Sequence, residues 1–177
     1  GFFTQNVSKV TVVKDREETV DILTHSISNS MATLRFMDLT PENLRRLSQM
    51  TIAITDIERL SDHAENIIEY VEYLKSKKAN LSQIAVKELK KMSHDTLEAV
   101  NLSLNIFETE DYSLLDEMET LEKQVDKQEK DLIDKHIDRL MCSECDPLSG
   151  VVFSDLVTDL ERCADHAINI AYSLKER

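Results

Sequence analysis

The stretch DIERLSDHAENI, residues 56–67, returns 103 residues later as DLERCADHAINI, residues 159–170. Eight of the twelve positions are identical, and six of those eight carry polar or charged side chains. Hydrophobic patterning alone repeats apolar residues, so identity at this many polar positions points to duplication of a whole structural unit. The repeat therefore predicts a chain built from two similar halves.

A second repeated element lies upstream of each copy. Glu17-x-x-Val20-Asp21 matches Glu122-x-x-Val125-Asp126 with an offset of 105 residues. Each half thus contains a helix with a Glu-x-x-x-Asp pair, a loop, and a helix with the longer motif. The helix predicted at 83–108 has no counterpart before the first half, so we expect the first repeat to lack its first helix.

The composition predicts an all-helical fold. Gly and Pro occur only twice each in 177 residues, and 41% of the residues are hydrophobic. Sandwiches, barrels and nucleotide-binding α/β folds need frequent turns, and glycine at several of them. We expect five helices in antiparallel bundles, because the connections between them are short.

The helix boundaries follow from capping signals and apolar spacing. Thr40 and Pro41 are a typical N-cap and first helical residue. We predict helices at 15–36, 41–78 and 83–108, a fourth ending near 141, and a fifth after a loop at 142–150, with 1–13 as a lead-in. The apolar stripe of the first helix is assigned to Val20, Leu23, Ile27, Met31 and Leu34, and that of the third to Leu89, Met92, Leu97, Val100, Leu104 and Phe107.

The charge excludes several classes of partner. Lys and Arg number 21 against 34 Asp and Glu, a net charge of −13. A surface of this sign repels phosphate backbones, which argues against nucleic-acid binding, and the same reasoning disfavours anionic membranes. No apolar run reaches the length of a transmembrane helix. Three cysteines do not form a disulfide framework, so a reducing, cytoplasmic compartment is expected.

The repeated acids predict two cation sites. Glu and Asp at i and i+4 lie one above the other on a helix, so each half offers two acidic helix faces with four carboxylates. Clustered carboxylates without a cation repel one another or take up protons. Oxygen ligands favour hard ions such as Mg²⁺, Ca²⁺, Mn²⁺ or iron, and carboxylates can bridge two of them.

The alternative is a solvated, charged helix face. In that interpretation Glu58 and Asp62 face water, and Arg59 neutralises them locally. His63 and His166 project about 100° away from the neighbouring acids, so we expect them to make contacts between helices rather than to bind metal. The single Cys142-x-x-Cys145 pair is interpreted as ordinary loop thiols, since zinc sites usually need a second pair or histidines.

The doubled motif, each time preceded by Glu-x-x-x-Asp, resembles the PhoU family of phosphate-uptake regulators. Residues 135–147 and 150–167 are similar to one branch, the PhoU-like C-terminal domain of bacterial sodium/phosphate cotransporters. The resemblance covers residues 15–175. It implies one PhoU-like domain over 1–177, built from two repeats of a three-helix unit. The first repeat, at 14–80, lacks the first of its three helices, and the second repeat, at 83–177, contains all three.

The resemblance also implies two multinuclear metal clusters, of iron, zinc or another divalent cation. The implied ligands form one set in each half: Glu17, Asp21, Glu58 and Asp62, then Glu122, Asp126, Glu161 and Asp165. Asp56 and Asp159 belong to the motif but project elsewhere, so they rank lower as ligands. Common glycines of the motif are replaced by Ser61 and Ala164, which crowds close helix contact there.

Three functions are compatible with these residues. The first is a non-catalytic, cytoplasmic, metal-binding regulatory domain of phosphate uptake, joined to the membrane domain of a sodium/phosphate cotransporter. The second is a free-standing adaptor between a phosphate transporter and its sensor kinase. The third is a carboxylate-bridged metalloenzyme, which the lack of histidines on the acidic faces disfavours. The sequence leaves the oligomeric state and the identity of the metal open.

Overall fold

The computed structural model describes residues 8–142 and 145–175, and within these residues the chain is all-helical. Five long helices follow one another with short connections: α1 Ser8–Leu34, α2 Pro41–Ser76, α3 Gln83–Thr109, α4 Leu115–Met141 and α5 Pro147–Ser173. A short 3₁₀ turn, Tyr112–Leu114, links α3 to α4. The prediction of an all-helical, five-helix fold is confirmed. The first seven residues of the predicted lead-in lie outside the described residues.

Side-chain caps set the starts of three helices. The Thr40 hydroxyl accepts a hydrogen bond from the backbone N–H of Asn43 at 3.2 Å, and Pro41 takes the first helical position as predicted. Ser82 caps α3 and Asp146 caps α5 in the same way. Each cap satisfies a backbone N–H that the first helical turn leaves without a partner.

The first helix begins earlier than the sequence predicted. Helix α1 starts at Ser8 rather than near residue 15, because the β-branched residues assigned to the lead-in are part of it. Val10 is buried against Ile68 and Val71 of α2. Burial of this side chain outweighs the weak helix propensity of valine.

The predicted stripe of α3 was wrong at two positions. Leu97 and Leu104 are 59% and 42% exposed. The buried face instead includes small and polar residues at the same helical spacing: Leu89, Met92, Thr96, Ala99, Ser103 and Ile106. The prediction counted only large apolar side chains, and it missed that close packing against α5 requires small ones.

Helix α5 is the central element of the fold. It packs against α2, α3 and α4, whereas α1 packs on α2. Its apolar side supplies Phe153, Leu156 and Val157 to the largest core cluster. Gly150 lets α5 approach α4, because a Cβ at this position would lie 3.0 Å from the imidazole of His136. The second repeat therefore forms a complete three-helix bundle, α3–α4–α5.

The first repeat leaves an apolar surface uncovered. Residues of α1 and α2 that correspond to core residues of the second repeat are exposed: Ile27 is 42% exposed where Leu132 is 6%, and Met50 is 40% exposed where Phe153 is 1%. In the predicted stripe of α1, Leu23 and Leu34 are exposed as well, and Met31 is buried. None of the described helices has the apolar length that crossing a bilayer requires.

Candidate metal centres

The first acidic cluster forms between α1 and α2. Partial burial raises the pKa of Glu17, and the neighbouring carboxylates of Glu65, Asp21 and Asp62 raise it further. Asp21 and Glu58 line one open cleft of about 850 Å³. The structure therefore brings Glu17 close to Asp21 and Asp62, whose charges repel it, and places Glu58 with Asp21 along the adjoining cleft.

The second acidic cluster forms between α4 and α5 and is tighter. Carboxylate oxygens of Asp126, Glu129 and Glu161 lie within 4.8 Å of one another. Burial, followed by repulsion from Asp165 and Glu129, raises the pKa of Glu161 to about 7. Burial also raises the pKa of Glu122, and Asp165 and Asp126 add to that rise. All four predicted acids of the second half therefore converge.

Each cluster contains an acid that the sequence did not predict. Glu129 joins the second cluster, and its counterpart in the first repeat is Thr24, which lines the cleft there. Glu65 faces Glu17 in the first cluster, and its counterpart is Ile168. Both acids lie on the same helix face as predicted ligands, at i+3, but the repeat does not mark them, because neither is present in both halves.

Basic side chains neutralise the second cluster only in part. The Lys130 ammonium lies 2.7 Å from a carboxylate oxygen of Asp126, and Arg162 lies 3.5 Å from Asp165 and 3.7 Å from Glu161. Both basic side chains are more than half exposed, so each pair contributes little to stability. In the first repeat Arg59 lies 3.9 Å from Asp56. Arg59 therefore contacts Asp56 rather than Glu58 or Asp62, contrary to the alternative interpretation in which Arg59 neutralises these two acids.

Two histidines connect the motifs of the two repeats. Nδ1 of His63 lies 2.7 Å from a carboxylate oxygen of Asp159, and Nδ1 of His166 lies 2.8 Å from one of Asp56. The two imidazole rings stack with their centroids 5.4 Å apart and their planes 22° apart. The expectation that these histidines make contacts between helices is confirmed, and each contacts the first Asp of the other repeat.

These two histidine–aspartate contacts lie in the interior between α2 and α5. Asp56 and Asp159 are 4% and 7% exposed, which explains why they do not join the acidic clusters. Burial and the nearby carboxylate of Asp159 raise the pKa of Tyr70 above its usual range. Because His63 follows Asp62 and His166 follows Asp165, these contacts between α2 and α5 lie next in sequence to one predicted ligand of each acidic cluster.

Other groups with metal-binding side chains are less suited to hold an ion. Asp95 lies with His94 and Glu98 on α3, but it already accepts hydrogen bonds from Gln124 and Gln128. Cys142 is exposed and Cys145 half-buried, and the residues between them lie outside the described part of the chain. Burial raises the pKa of the third thiol, Cys163, to about 12, which keeps it protonated.

Known proteins resemble this chain over most of its length. A family model, the PhoU domain, matches residues 1–71 and 89–174. The phosphate-specific transport system accessory protein PhoU homolog 1 of Thermotoga maritima is 30% identical over 115 residues, which cover 65% of this chain and 49% of that protein. The chain thus spans about half the length of this curated relative.

The fold also matches a solved structure. The crystal structure of PhoU from Pseudomonas aeruginosa superposes with a TM-score of 0.89 at 18% sequence identity. The match covers 98% of this chain and 82% of that one. At this identity the likeness concerns the fold.

Proposed function

Because the chain belongs to the PhoU family, we propose that it is a regulatory, non-catalytic domain of phosphate uptake whose two acidic clusters bind metal ions. The family match supports the regulatory part, and the curated relative is named as an accessory protein of a phosphate-specific transport system. The convergence of carboxylates between α4 and α5 is the observation that carries the metal-binding part.

The donor set of each cluster fits a cation. In the second half, Glu161 is half-buried, and even with Arg162 beside it the carboxyl group takes up a proton near pH 7. A bound ion removes that repulsion and leaves every carboxylate charged. The ligands we propose are those predicted in each half, with Glu129 added to the second: Glu17, Asp21, Glu58 and Asp62, then Glu122, Asp126, Glu129, Glu161 and Asp165. Oxygen-only donors favour manganese, magnesium, calcium or iron, and zinc also binds carboxylates.

Metal analysis of the purified protein tests these sites. Wild type and the variants Glu58→Gln and Glu161→Gln are purified without chelator, and the metal content of each is measured. We expect each variant to lose the metal of its own half, and Glu108→Gln, a change at an exposed acid near the end of α3, to keep the full content. Equal metal content in all four proteins would reject the proposed ligands.

Stability provides a second readout for the same variants. A ligand that binds only the folded protein stabilises it by about 2.7 kcal/mol at 100 times its dissociation constant. We expect Mn²⁺ added to metal-free wild type to raise the melting temperature, and each substitution to reduce that rise. The same rise in all variants would show binding elsewhere on the chain.

We propose that the partner is a phosphate transporter, in one of two settings. In the first, the chain is the cytoplasmic domain of a sodium/phosphate cotransporter, as the resemblance at residues 135–147 suggests. In the second, it is a free-standing cytoplasmic adaptor between a transporter and its regulator, a setting that the name of the curated relative favours. The upstream sequence of the parent gene distinguishes them, since a cotransporter requires several apolar segments of about 20 residues.

We also propose that a third helix completes the first repeat, over 14–80, as α3 completes the second, over 83–177. The exposed side chains of Ile27 and Met50, whose counterparts are buried beneath α3, support this. A longer chain that includes the segment upstream in the gene tests it. We expect that chain to unfold at a higher temperature and to bind less of a hydrophobic dye, and no change in either would reject the proposal.

A further inference from the structure

The charge of the chain is very unevenly distributed. Residues 75–91 contain six lysines and one acid, Glu88, in a chain whose net charge is −13. This segment joins the end of α2 to the first turns of α3, and together with the two residues before it we define it, residues 73–91, as the basic corner. All six lysines are exposed: Lys75, Lys77, Lys78, Lys87, Lys90 and Lys91.

Asp95 and Asp131 lie beside Lys91 at the α3 end of the basic corner. Three other acids in or next to the corner are paired with cations outside it. Glu88 accepts a hydrogen bond from Arg139 of α4 at 2.9 Å, and both side chains are largely buried. Lys14 of α1 lies 3.0 Å from Glu69 and 3.5 Å from Glu72, the last two acids of α2. The positive field of the corner therefore comes mainly from Lys75, Lys77, Lys78 and Lys87, which are exposed, and Glu69, Glu72 and Glu88 do not cancel it.

The basic corner also exposes apolar surface among its lysines. Ile84 is 61% exposed in the first turn of α3, and Tyr73 is 44% exposed in the last turns of α2. The Lys77 ammonium lies 5.8 Å from the centre of the Tyr73 ring. Long lysine stems and an amphipathic aromatic ring suit the boundary between water and lipid, where the charged group reaches headgroups and the apolar part faces acyl chains.

We propose that the basic corner binds the surface of an anionic phospholipid bilayer. Lysines near such a surface each contribute to binding, and the attraction falls off within a Debye length. The acidic remainder of the chain is repelled by the same surface, so the molecule is oriented with the corner towards the lipid. The net charge of the whole chain argued against membrane binding because it sums the basic corner and the acidic remainder, and the acidic remainder dominates the sum. This proposal goes beyond the proposed function and does not depend on bound metal.

Vesicle sedimentation tests the proposal with the whole chain. Vesicles of phosphatidylcholine that contain phosphatidylglycerol are compared with pure phosphatidylcholine at low salt, and then the salt concentration is raised. We expect binding to the anionic vesicles only, weakening as salt increases. At about fivefold per lysine, the neutralised variant Lys75→Gln/Lys78→Gln/Lys87→Gln should bind about 100-fold more weakly.

A control variant with the same change of charge separates the corner from overall charge. The control, which replaces basic residues elsewhere, is Arg35→Gln/Lys123→Gln/Lys175→Gln. We expect it to bind the anionic vesicles nearly as well as wild type, and both variants to keep the helical circular dichroism of wild type. An equal loss in both variants, or equal binding to the two kinds of vesicle, would overturn the proposal.

A fluorescence measurement tests contact with lipid directly. The chain has no tryptophan, so Ile84→Trp introduces a single reporter at the corner, and Ile52→Trp introduces one at an exposed site in the N-terminal half of α2. We expect brominated anionic vesicles to quench the first and not the second. Quenching of neither reporter would reject contact of the corner with the bilayer. Tighter binding to an RNA of equal charge than to the vesicles would also reject the bilayer, and would identify a different anionic partner.

Discussion

Glu161 is expected to destabilise the metal-free protein at neutral and alkaline pH. Its pKa in the folded chain is about 7, against 4.5 for an ordinary glutamate, because the carboxyl group is half-buried and faces other acids. The folded state therefore favours the protonated form. The stability that this preference contributes is complete below pH 4.5 and is lost as the pH rises through 7, a change of up to about 3 kcal/mol. The variant Glu161→Gln keeps the shape of the side chain and removes the charge.

Urea unfolding followed by circular dichroism, with chelator present, measures this effect. At pH 8 we expect Glu161→Gln to raise the free energy of unfolding by up to about 3 kcal/mol, and at about pH 4.5 to leave it close to wild type. Glu108→Gln, a change at an exposed acid of α3, should alter it by less than about 0.5 kcal/mol at both pH values. A Glu161→Gln variant no more stable than wild type at pH 8, or a gain independent of pH, would refute the reasoning.

Three further predictions concern packing and the contact between the repeats. Gly150→Ala should lower the free energy of unfolding by about 1–2 kcal/mol in the same assay, since the overlap with the buried imidazole of α4 outweighs the gain in helix propensity. Leu132→Ala should destabilise by about 2–5 kcal/mol, and its exposed counterpart Ile27→Ala by less than about 1 kcal/mol, so equal losses would contradict the asymmetry of the repeats. A double-mutant cycle of Asp56→Asn and His166→Gln should give a coupling energy of about 0.5–3 kcal/mol, and additive effects would show that the contact is unimportant.

Much of the fold was predictable because the signals that specify it are local. Thr40 and Pro41 marked the start of α2 correctly, since capping depends on residues close together in the chain. The start of α1 was not predictable in the same way. Val10 is helical because α2 buries it, and no local signal records that contact.

The acidic clusters were predictable only as far as they repeat. Helical spacing places the predicted acids of each helix on one face. The acidic faces of α1 and α2 lie together in the first half, and those of α4 and α5 lie together in the second. Glu129 and Glu65 were missed because each belongs to one repeat only. Whether the convergent acids hold metal stays a prediction.

The sequence by itself determined the helical class, the duplication and the helix faces that carry the acids, because composition and spacing along a helix are properties of the chain alone. Only the tertiary structure decided which faces meet. It places His63 against Asp159 and His166 against Asp56, and it leaves Ile27 exposed where Leu132 is buried. Contacts of this kind depend on how helices distant in sequence pack, and the same local pattern is compatible with burial in one repeat and exposure in the other.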